Sequence, residues 1–217
     1  EMCIRDRDRP GIVAGVSGKE IYSLAEEMKK VYFGVVFFGT GLIATSGIHL
    51  NVKDLLSLVS DLNETTKFVV VEMRGHFNEA GFTSTLLRET GYPFGVDFSN
   101  GTSRCCPSET TATDILARGL CDVALIVASD PMSSLPWYVA RHLTKIPLVV
   151  VDPHWTPTAE LADVVIPVAI SGIEAEGTAY RMDGVPFHLR KVIDPPENCL
   201  PDEVILKRML KEVEERI

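Results

Sequence analysis

Residues 147–187 read PLVVVDPHWTPTAELADVVIPVAISGIEAEGTAYRMDGVPF, and the stretch contains two short apolar runs, LVVV and DVVIP, of the kind that form buried parallel strands. The first run ends in Asp152, and the TPTAELA segment after it contains a helix start at Thr156. The second run is followed by EAEGT, which brings Glu176 into a loop. Because ligands of open parallel sheets bind outside the carboxyl ends of the strands, we predict one crevice at these polar ends and a nucleotide as its ligand.

The composition excludes several classes of protein. The 217 residues are 46% hydrophobic, enough to bury a core in one large α/β domain or two small ones. With 21 basic and 30 acidic residues the formal net charge is -9, and no Lys/Arg cluster is interleaved with aromatic residues. The longest apolar stretches are too short, or too interrupted, to span a bilayer. We therefore expect no nucleic-acid partner, no membrane span and a cytoplasmic location.

The cysteines are odd in number and scattered, at Cys3, Cys105, Cys106, Cys121 and Cys199. They form neither a disulfide framework nor a C-x-x-C metal clamp, so we assign no metal ligand in this chain. The adjacent pair Cys105 and Cys106 is interpreted either as a redox or metal site or as incidental thiols. Cys121 begins an apolar run and is predicted to be a packed thiol.

The chain begins with the charged run EMCIRDRDRP, which leads into no predicted element. It is neither a signal peptide nor a transit peptide, because it has no apolar segment and carries acids. We expect residues 1–16 to be a non-native or disordered lead, and the chain to begin in the middle of a larger protein.

Helices and strands then alternate as a parallel sheet requires. In the first subdomain, predicted over 17–104, we expect helices at 19–31, 52–62 and 78–89 and strands at 32–38 and 68–73. Ser17 or Gly18 is predicted to cap the first helix. Residues 90–107 are rich in Gly, Pro, Ser and Asn and are predicted to be a linker.

The second subdomain is predicted over 105–217. A helix opened by Ser108 is expected to end on Gly119, and a strand up to Ser129, a helix over 134–143 and a strand at 147–152 form a βαβ unit. A strand at 163–168 and an amphipathic tail helix complete this part. The fold class is therefore predicted to be α/β, with two Rossmann-like parallel-sheet subdomains and flanking helices.

Each strand end admits two interpretations. The glycine turn at 38–41 either lets backbone amides approach a phosphate or simply turns the chain. The segment RGHFNEAG is either an anion or heterocycle contact or a solvated loop in which Asn78 caps a helix. Asp130 is either a ligand contact or a helix cap. Asp152 either accepts hydrogen bonds from a ribose or a guanine edge, or forms an Asx turn before Pro153.

Taken together, these segments resemble the molybdopterin-guanine-dinucleotide oxidoreductases. VVVDPHWTPTAELADVVIP followed by EAEGTAYRMDGVP is similar to that family's strand-Asp, T-x-T-A, A-D-x-x-[LI]-P and E-x-E-G-T series. VASDPMSSLP is similar to its G-x-[ND]-P nucleotide loop, RGHFNEAG to its R-G-x-x-N-x-x-G pterin loop, and FGTGLIATSG to its glycine turn. The resemblance covers most of 32–189.

Within the family, EAEGTAYRMDGVPF is most similar to the B subunits of formylmethanofuran dehydrogenases. This implies reduction of CO₂ to formate at tungsten or molybdenum held by molybdopterin guanine dinucleotide, with formate passing to another subunit that condenses it onto methanofuran. It also implies a separate barrel subunit as a partner. An iron-sulfur cluster and the cysteine or selenocysteine that ligates the metal are expected in an upstream part, so we expect no catalytic residue here and an inactive fragment.

The resemblance also implies which residues contact the cofactor. Asp152 and Thr156 would hold the guanosine end, with Ser129 and Asp130 beside it. The turn and pterin-side contacts would be Gly39, Thr40, Gly41, Arg74, His76 and Asn78, and the diagnostic loop Glu176, Gly177 and Thr178 has no assigned role. His76 replaces an amide common in the family, so its contact is undecided.

Two other functions remain open. One is the homologous subunit of a bacterial formyltransferase/hydrolase complex, which keeps the fold without the redox chemistry. The other is a generic nucleotide-binding module, such as the central domain of thiamine-diphosphate enzymes, which shares the strand-Asp but not the E-x-E-G-T segment. A cysteine cluster upstream would favour the dehydrogenase over the first of these.

Overall fold

The computed structural model describes residues 11–43 and 47–216. By its contacts the chain divides into two compact units. The first unit comprises Glu1–Ala80 and Arg181–Val185, and the second unit comprises Gly81–Tyr180 and Pro186–Ile217. Residues 1–10 of the predicted lead, including Cys3, lie outside the described residues.

Helices and strands alternate along the chain. Up to residue 90 the elements are β1 (Ile12–Val13), β2 (Val16–Ser17), α1 (Gly18–Met28), β3 (Phe33–Phe38), α2 (Thr40–Ile43), α3 (Ile48–Leu62), β4 (Lys67–Glu72) and α4 (Glu79–Thr90). They are followed by β5 (Val96–Asp97), β6 (Arg104–Cys105), α5 (Ala112–Arg118), β7 (Ala124–Val127), α6 (Pro131–Ser134), α7 (Trp137–Ala140), a 3₁₀ turn (Leu143–Lys145), β8 (Leu148–Val151), α8 (Pro157–Glu160), β9 (Val164–Ile166), β10 (Gly177–Tyr180), β11 (Pro186–Leu189) and α9 (Asp202–Glu214). The α/β class is confirmed.

The predicted start of α1 is confirmed by a capping box. The Ser17 hydroxyl accepts a hydrogen bond from the Glu20 N–H at 3.3 Å, and the Glu20 carboxylate accepts one from the Ser17 N–H at 3.1 Å. The Ser17 hydroxyl also donates to Glu20 Oε2 at 2.7 Å, and this hydrogen bond, together with the one from the Ser17 N–H, lowers the pKa of the Glu20 carboxyl. α1 therefore begins where the sequence supplies partners for its first free amides.

The first unit is built around the parallel pair β3 and β4, in which Gly34 lies opposite Phe68. The buried core beneath this pair consists of Val59, Leu62 and Phe68. A Cβ atom placed on Gly34 would lie 2.1 Å from Cε1 of the Phe68 ring, closer than side chains approach one another in proteins. Gly34 is therefore required for the Phe68 ring to pack across β3.

The segment predicted as a linker, 90–107, contains the antiparallel hairpin β5–β6. Arg104 on this hairpin forms ion pairs with Asp97 and Glu109. The predicted cap at Ser108 was wrong, because α5 begins after Thr111, whose hydroxyl accepts from the Asp114 N–H at 3.2 Å. Thr111 has an acid three residues later that completes a capping box, whereas Ser108 has none. Gly119 ends α5 as predicted, in the left-handed conformation with φ of +64°.

The second unit contains the parallel sheet β7-β8-β9, with β8 in the centre. Its core is formed by buried residues from the sheet and the segments around it, namely Leu116, Val139, Leu143, Leu148, Val150 and Ala159. The single helix predicted over 134–143 is instead α6, α7 and the 3₁₀ turn. Pro136 explains the break, because the residue before a proline avoids the helical region and Leu135 is extended, with ψ of 149°.

The EAEGT segment was predicted to be a loop, and this was wrong for its last residues. β10 pairs antiparallel with β11, and Thr178 lies opposite His188. The signal was the Asp183-Gly184 dipeptide, which is typical of a hairpin turn, and Gly184 has φ of +80°. Among the helices of the described ranges, none is long and apolar enough to cross a membrane.

Candidate functional site

The carboxyl ends of β7 and β8 lie side by side in the second unit. Beyond the paired strands, the Ala128 N–H donates to the Val151 carbonyl at 2.9 Å, and the Asp152 N–H donates to the Ile166 carbonyl at 3.3 Å. The sheet thus holds the first residues after each strand. The segments that begin at Ser129 and at Asp152 are therefore brought to the same sheet edge, as the sequence predicted.

Asp152 is 6% exposed and forms an Asx turn. Its Oδ1 accepts a hydrogen bond from the His154 N–H at 2.8 Å. Its Oδ2 accepts none from residues 11–43 or 47–216. Within those ranges no buried side-chain oxygen or nitrogen lacks a partner, so Oδ2 reaches solvent. The two interpretations of Asp152 are thus compatible, because Oδ1 shapes the turn and Oδ2 remains without a partner among the described residues.

Asp130 is tied to Thr158, which is completely buried. The Thr158 N–H donates to Asp130 Oδ1 at 3.1 Å, and the Thr158 hydroxyl donates to the same oxygen. The Thr158 hydroxyl in turn accepts from the Met132 N–H at 3.1 Å. Burial opposes ionisation of Asp130, but donors on Ser133 and Thr158 outweigh it and lower the pKa of the carboxyl.

The first turn of α8 has no free amide. Pro157 carries no N–H, and the Thr158 N–H is bound by Asp130. The Ala159 N–H donates to the Thr156 hydroxyl at 3.1 Å, and the Glu160 N–H donates to the Thr156 carbonyl at 3.0 Å. Because its amides are used and Asp130 supplies negative charge, this helix start is unsuited to binding a phosphate.

Ser129 and Ala128 form the bend after β7. Ser129 is exposed, and its hydroxyl makes no hydrogen bond within the described ranges. Ala128 has φ of +48°, a left-handed conformation that costs a residue with a Cβ about 1–2 kcal/mol. Strained backbone of this kind is found at ligand sites, and here it turns the chain sharply at the sheet edge.

In the first unit, the glycine turn follows β3 directly and lies against the end of β4. The Met73 N–H donates to the Phe38 carbonyl at 2.7 Å, and a Cβ on Gly39 would be 3.8 Å from the Met73 carbonyl oxygen. A Cβ on Gly41 would meet nothing within 4 Å. Neither glycine is required by local packing, and Gly41 is exposed while Gly39 is half-buried. Thr40 begins α2 and is exposed.

The other predicted residues of the first unit follow β4. Arg74 contacts Glu72 through Nε and Nη2, both 3.1 Å from Glu72 Oε2. His76 is exposed, and Asn78 is left-handed with φ of +54°. The turn and the Arg74 segment therefore share one sheet edge, because Phe38 pairs with Glu72. Glu72 was not among the predicted site residues. Its signal was visible, because Glu72 is an acid at the end of β4, two residues before Arg74.

The hairpin carries the remaining predicted residues. Glu176 and Thr178 are exposed, while Ala175 and Ala179 are buried. Glu176 Oε2 lies 4.0 Å from His188 Nε2. Strand alternation thus directs Glu176 and Thr178 to the open face of the hairpin, with Gly177 between them. Thr158 was the main residue missing from the predicted site. Its signal was visible, because Thr158 is the second threonine of the T-x-T motif that begins at Thr156.

The described residues contain no group of three or more His, Cys, Asp or Glu side chains that could hold a metal ion. The cysteines within these ranges are free thiols: Cys105, Cys106, Cys121 and Cys199. Cys121 packs, partly buried, against the core of the second unit as predicted, and this burial raises the pKa of its thiol. Cys105 Sγ donates to the Phe94 carbonyl at 3.2 Å, so its contact is with the adjacent backbone.

Comparison with known proteins identifies the family. The model of the molybdopterin oxidoreductase family matches residues 35–212. The B subunit of tungsten-containing formylmethanofuran dehydrogenase 2 from Methanocaldococcus jannaschii is 54% identical over 205 residues, which are 94% of this chain and 47% of that protein. The protein of the same name from Methanococcus maripaludis is 46% identical over 203 residues, again 94% of this chain and 47% of that protein. The chain thus spans about half the length of these relatives.

Among solved structures, the formyltransferase/hydrolase complex of Methylorubrum extorquens, solved with methylofuran, contains a similar chain. It aligns with a TM-score of 0.69 at 20% identity, covering 94% of this chain and 55% of that chain. At this identity the likeness concerns the fold. The family match over 35–212 shows that the chain belongs to the molybdopterin oxidoreductase family.

Proposed function

We propose that this chain is part of the pterin-binding subunit of a formylmethanofuran dehydrogenase, and that it holds molybdopterin guanine dinucleotide carrying tungsten or molybdenum. The 54% identity to the B subunit of a tungsten-containing enzyme supports this assignment. When bound, the cofactor supplies the two-electron chemistry that interconverts CO₂ and formate. The residues of this chain bind and orient the cofactor, and none of those described acts as a metal ligand in this proposal.

The observation that carries the proposal is the Asp152 oxygen Oδ2, which has no hydrogen-bond partner among the described residues. Asp152 is almost fully buried, yet Oδ2 has no partner among the described residues and reaches solvent. A carboxylate in such a place is matched by a ligand that offers N–H donors, and the guanine edge offers two. Adenine offers only one donor group beside an acceptor, so Asp152 favours guanine.

The charge of this sheet edge also fits a nucleoside better than a phosphate. Asp130 and Asp152 both lie there as carboxylates, and the amides of α8 are already bonded. In this proposal Thr156 lies at the guanosine end, with Ser129 and Asp130 beside it. The phosphates of a dinucleotide must then be held elsewhere.

The first unit offers, at its own sheet edge, groups of the kind that a pterin requires. The backbone of Gly39, Thr40 and Gly41 lies on the same sheet edge as Arg74, whose guanidinium is held by Glu72. Arg74, His76 and Asn78 would contact the pterin, which offers both donors and acceptors. Glu176, Gly177 and Thr178 are proposed to line the cofactor from the open face of the hairpin.

The remaining parts of the proposal concern the whole enzyme. An iron-sulfur cluster and a metal-ligating cysteine or selenocysteine are proposed for portions of the subunit that this chain does not contain. The proposed partners are a barrel subunit and a subunit that condenses formate onto methanofuran, in a cytoplasmic complex. The alternative of a non-redox subunit is supported by a fold match at 20% identity, which is weaker support than 54% identity to a dehydrogenase subunit.

The test is a nucleotide titration of the 217-residue chain with GDP and ADP. We expect GDP to bind at least about tenfold more tightly than ADP. Asp152→Asn keeps an oxygen for the His154 amide but replaces Oδ2 with an NH₂ group, and should abolish the preference for GDP. Asp163→Asn is the matched control, because Asp163 Oδ2 accepts only from the Leu148 N–H, at 2.8 Å, and Leu148 begins β8.

In the complete enzyme, Asp152→Asn should lower the guanine nucleotide released on denaturation, while Asp163→Asn should not. Equal affinity of the wild-type chain for ADP and GDP would contradict the proposal and favour a generic nucleotide-binding module. Binding of neither nucleotide would contradict a guanosine site at this edge.

A further inference from the structure

We infer that Asp130 is a positioning residue of the nucleotide site, which acts by clamping the loop 153–158 through Thr158. The inference deepens the proposed function and rests on it. The sequence placed Asp130 beside the ligand, and the structure assigns its carboxylate a second role inside the protein. The pair Asp130 and Thr158 is called the clamp below.

The clamp joins two segments that cannot hold their own shape. α6 and α8 are each four residues long, and isolated helices of this length are unstable in water. α6 follows β7 and α8 follows β8. Asp130 and Thr158, which join them by a hydrogen bond, are 28 residues apart in the sequence. The two helices contact each other, and the clamp joins them at that contact.

The geometry makes Thr158 the centre of these contacts. Its N–H and its hydroxyl both donate to Asp130 Oδ1, and the hydroxyl accepts from the Met132 N–H at 3.1 Å. Thr158 is completely buried, so none of these groups has water as a substitute partner. Removing one member would leave buried polar groups unpaired, which is costly.

The clamp fixes one end of the loop 153–158, and this loop carries residues proposed to contact the nucleotide. At one end, Asp152 is held by the Asx turn and by the hydrogen bond that its N–H donates to the Ile166 carbonyl. At the other end, the loop is held by Thr158. Thr156 bonds only within α8, so its position follows that of α8 as a whole. Loss of the clamp would release Thr156 and Trp155 while leaving Asp152 in place.

The clamp also explains why an acid suits position 130. Asp130 binds an otherwise free amide in the first turn of α8, where a negative charge is favourable. Asp130 thus acts as an N-terminal cap of α8, although it lies in a different loop. An amide oxygen at this position would still accept these hydrogen bonds, whereas alanine would accept none.

A double-mutant cycle on GDP affinity tests the inference. Asp130→Ala and Thr158→Val should each weaken GDP binding by about tenfold, and the double variant should bind no more weakly than the worse single variant. Asp130→Asn should retain most of the affinity, because its oxygen can accept from Thr158. All titrations are run where circular dichroism shows each variant folded.

Asp163→Ala is the matched control, since it removes a carboxylate that bonds the backbone at the opposite end of β8. It should lower stability without changing GDP affinity, which separates positioning from general destabilisation. Two results overturn the inference: GDP binding by Asp130→Ala that equals wild type, or single-variant losses that multiply in the double variant. If the wild-type chain binds no GDP, the proposed function fails first, and the inference fails with it.

Discussion

The Asn63 side chain pairs with the backbone of Phe68 as a neighbouring β-strand would. Asn63 Nδ2 donates to the Phe68 carbonyl at 2.9 Å, and the Phe68 N–H donates to Asn63 Oδ1 at 3.1 Å. Nδ2 also donates to the Val59 carbonyl at 2.7 Å, near the end of α3. One side chain thereby joins the end of α3 to the beginning of β4, on either side of the turn between them.

We predict that Asn63→Ala destabilises the first unit by about 1–3 kcal/mol, because it leaves backbone groups of the buried Phe68 unpaired. Chemical unfolding followed by far-UV circular dichroism measures the change. Asn100→Ala is the control, since Asn100 is exposed and makes no hydrogen bond in the part of the chain described. An Asn63→Ala midpoint equal to that of the control would contradict the prediction.

Gly34→Ala should destabilise the same unit by about 1–3 kcal/mol through overpacking. The added methyl group would meet the Phe68 ring, and that ring belongs to a buried cluster with little room to move. The same unfolding measurement applies. Gly75→Ala provides the comparison, because a Cβ there meets nothing within 4 Å, and it should leave the midpoint within error. Equal midpoints for the two variants would refute this account of Gly34.

Ala128→Gly should stabilise the second unit by up to about 1 kcal/mol, since glycine adopts the left-handed region without steric cost. The gain is reduced by the greater freedom of glycine in the unfolded chain. Both tryptophans, Trp137 and Trp155, lie in the second unit, so intrinsic fluorescence follows its unfolding. Ala124→Gly, within β7, should instead be destabilising, and a loss of stability in both variants would show that the strain at Ala128 is negligible.

Asp130 should make a contribution to the free energy of unfolding that depends on pH. An unfolded aspartate takes up its proton near pH 3.9, whereas the pKa of folded Asp130 is lowered, so between these two values the unfolded state binds more protons. The contribution is present above about pH 3.9 and is lost as the pH falls through the folded pKa.

Urea midpoints from tryptophan fluorescence between pH 7 and pH 3 check this prediction. The difference between wild type and Asp130→Asn should shrink on acidification. Other acids with lowered pKa values, such as Asp97 and Asp194, are shared by both proteins and cancel in the difference. A difference that stays constant down to pH 3 would argue against it.

Local sequence signals predicted those features of the fold that depend on neighbouring residues. The Ser17 cap, the Gly119 helix end and the strand ending at Asp152 each follow from residues within one turn or one strand. The break at Pro136 and the hairpin at Asp183-Gly184 also have local signals, although the predicted elements include neither feature. Apolar runs were correctly assigned to strands because β-branched residues dominate them.

The candidate site was only partly predictable for a physical reason. The position of Asp152 follows from sheet geometry, but the bond between Asp130 and Thr158 joins residues 28 positions apart. The pattern of apolar and polar residues does not indicate which hydroxyl group on another loop a carboxylate will bind.

The Gly34–Phe68 contact links two sequence positions that lie on neighbouring strands. A side chain at position 34 becomes tolerable only when position 68 carries something smaller than a phenyl ring, so substitutions at the two positions should be accepted together or not at all. In a library randomised at both sites and selected for folding, alanine at 34 should be recovered with small residues at 68, and phenylalanine at 68 with glycine at 34.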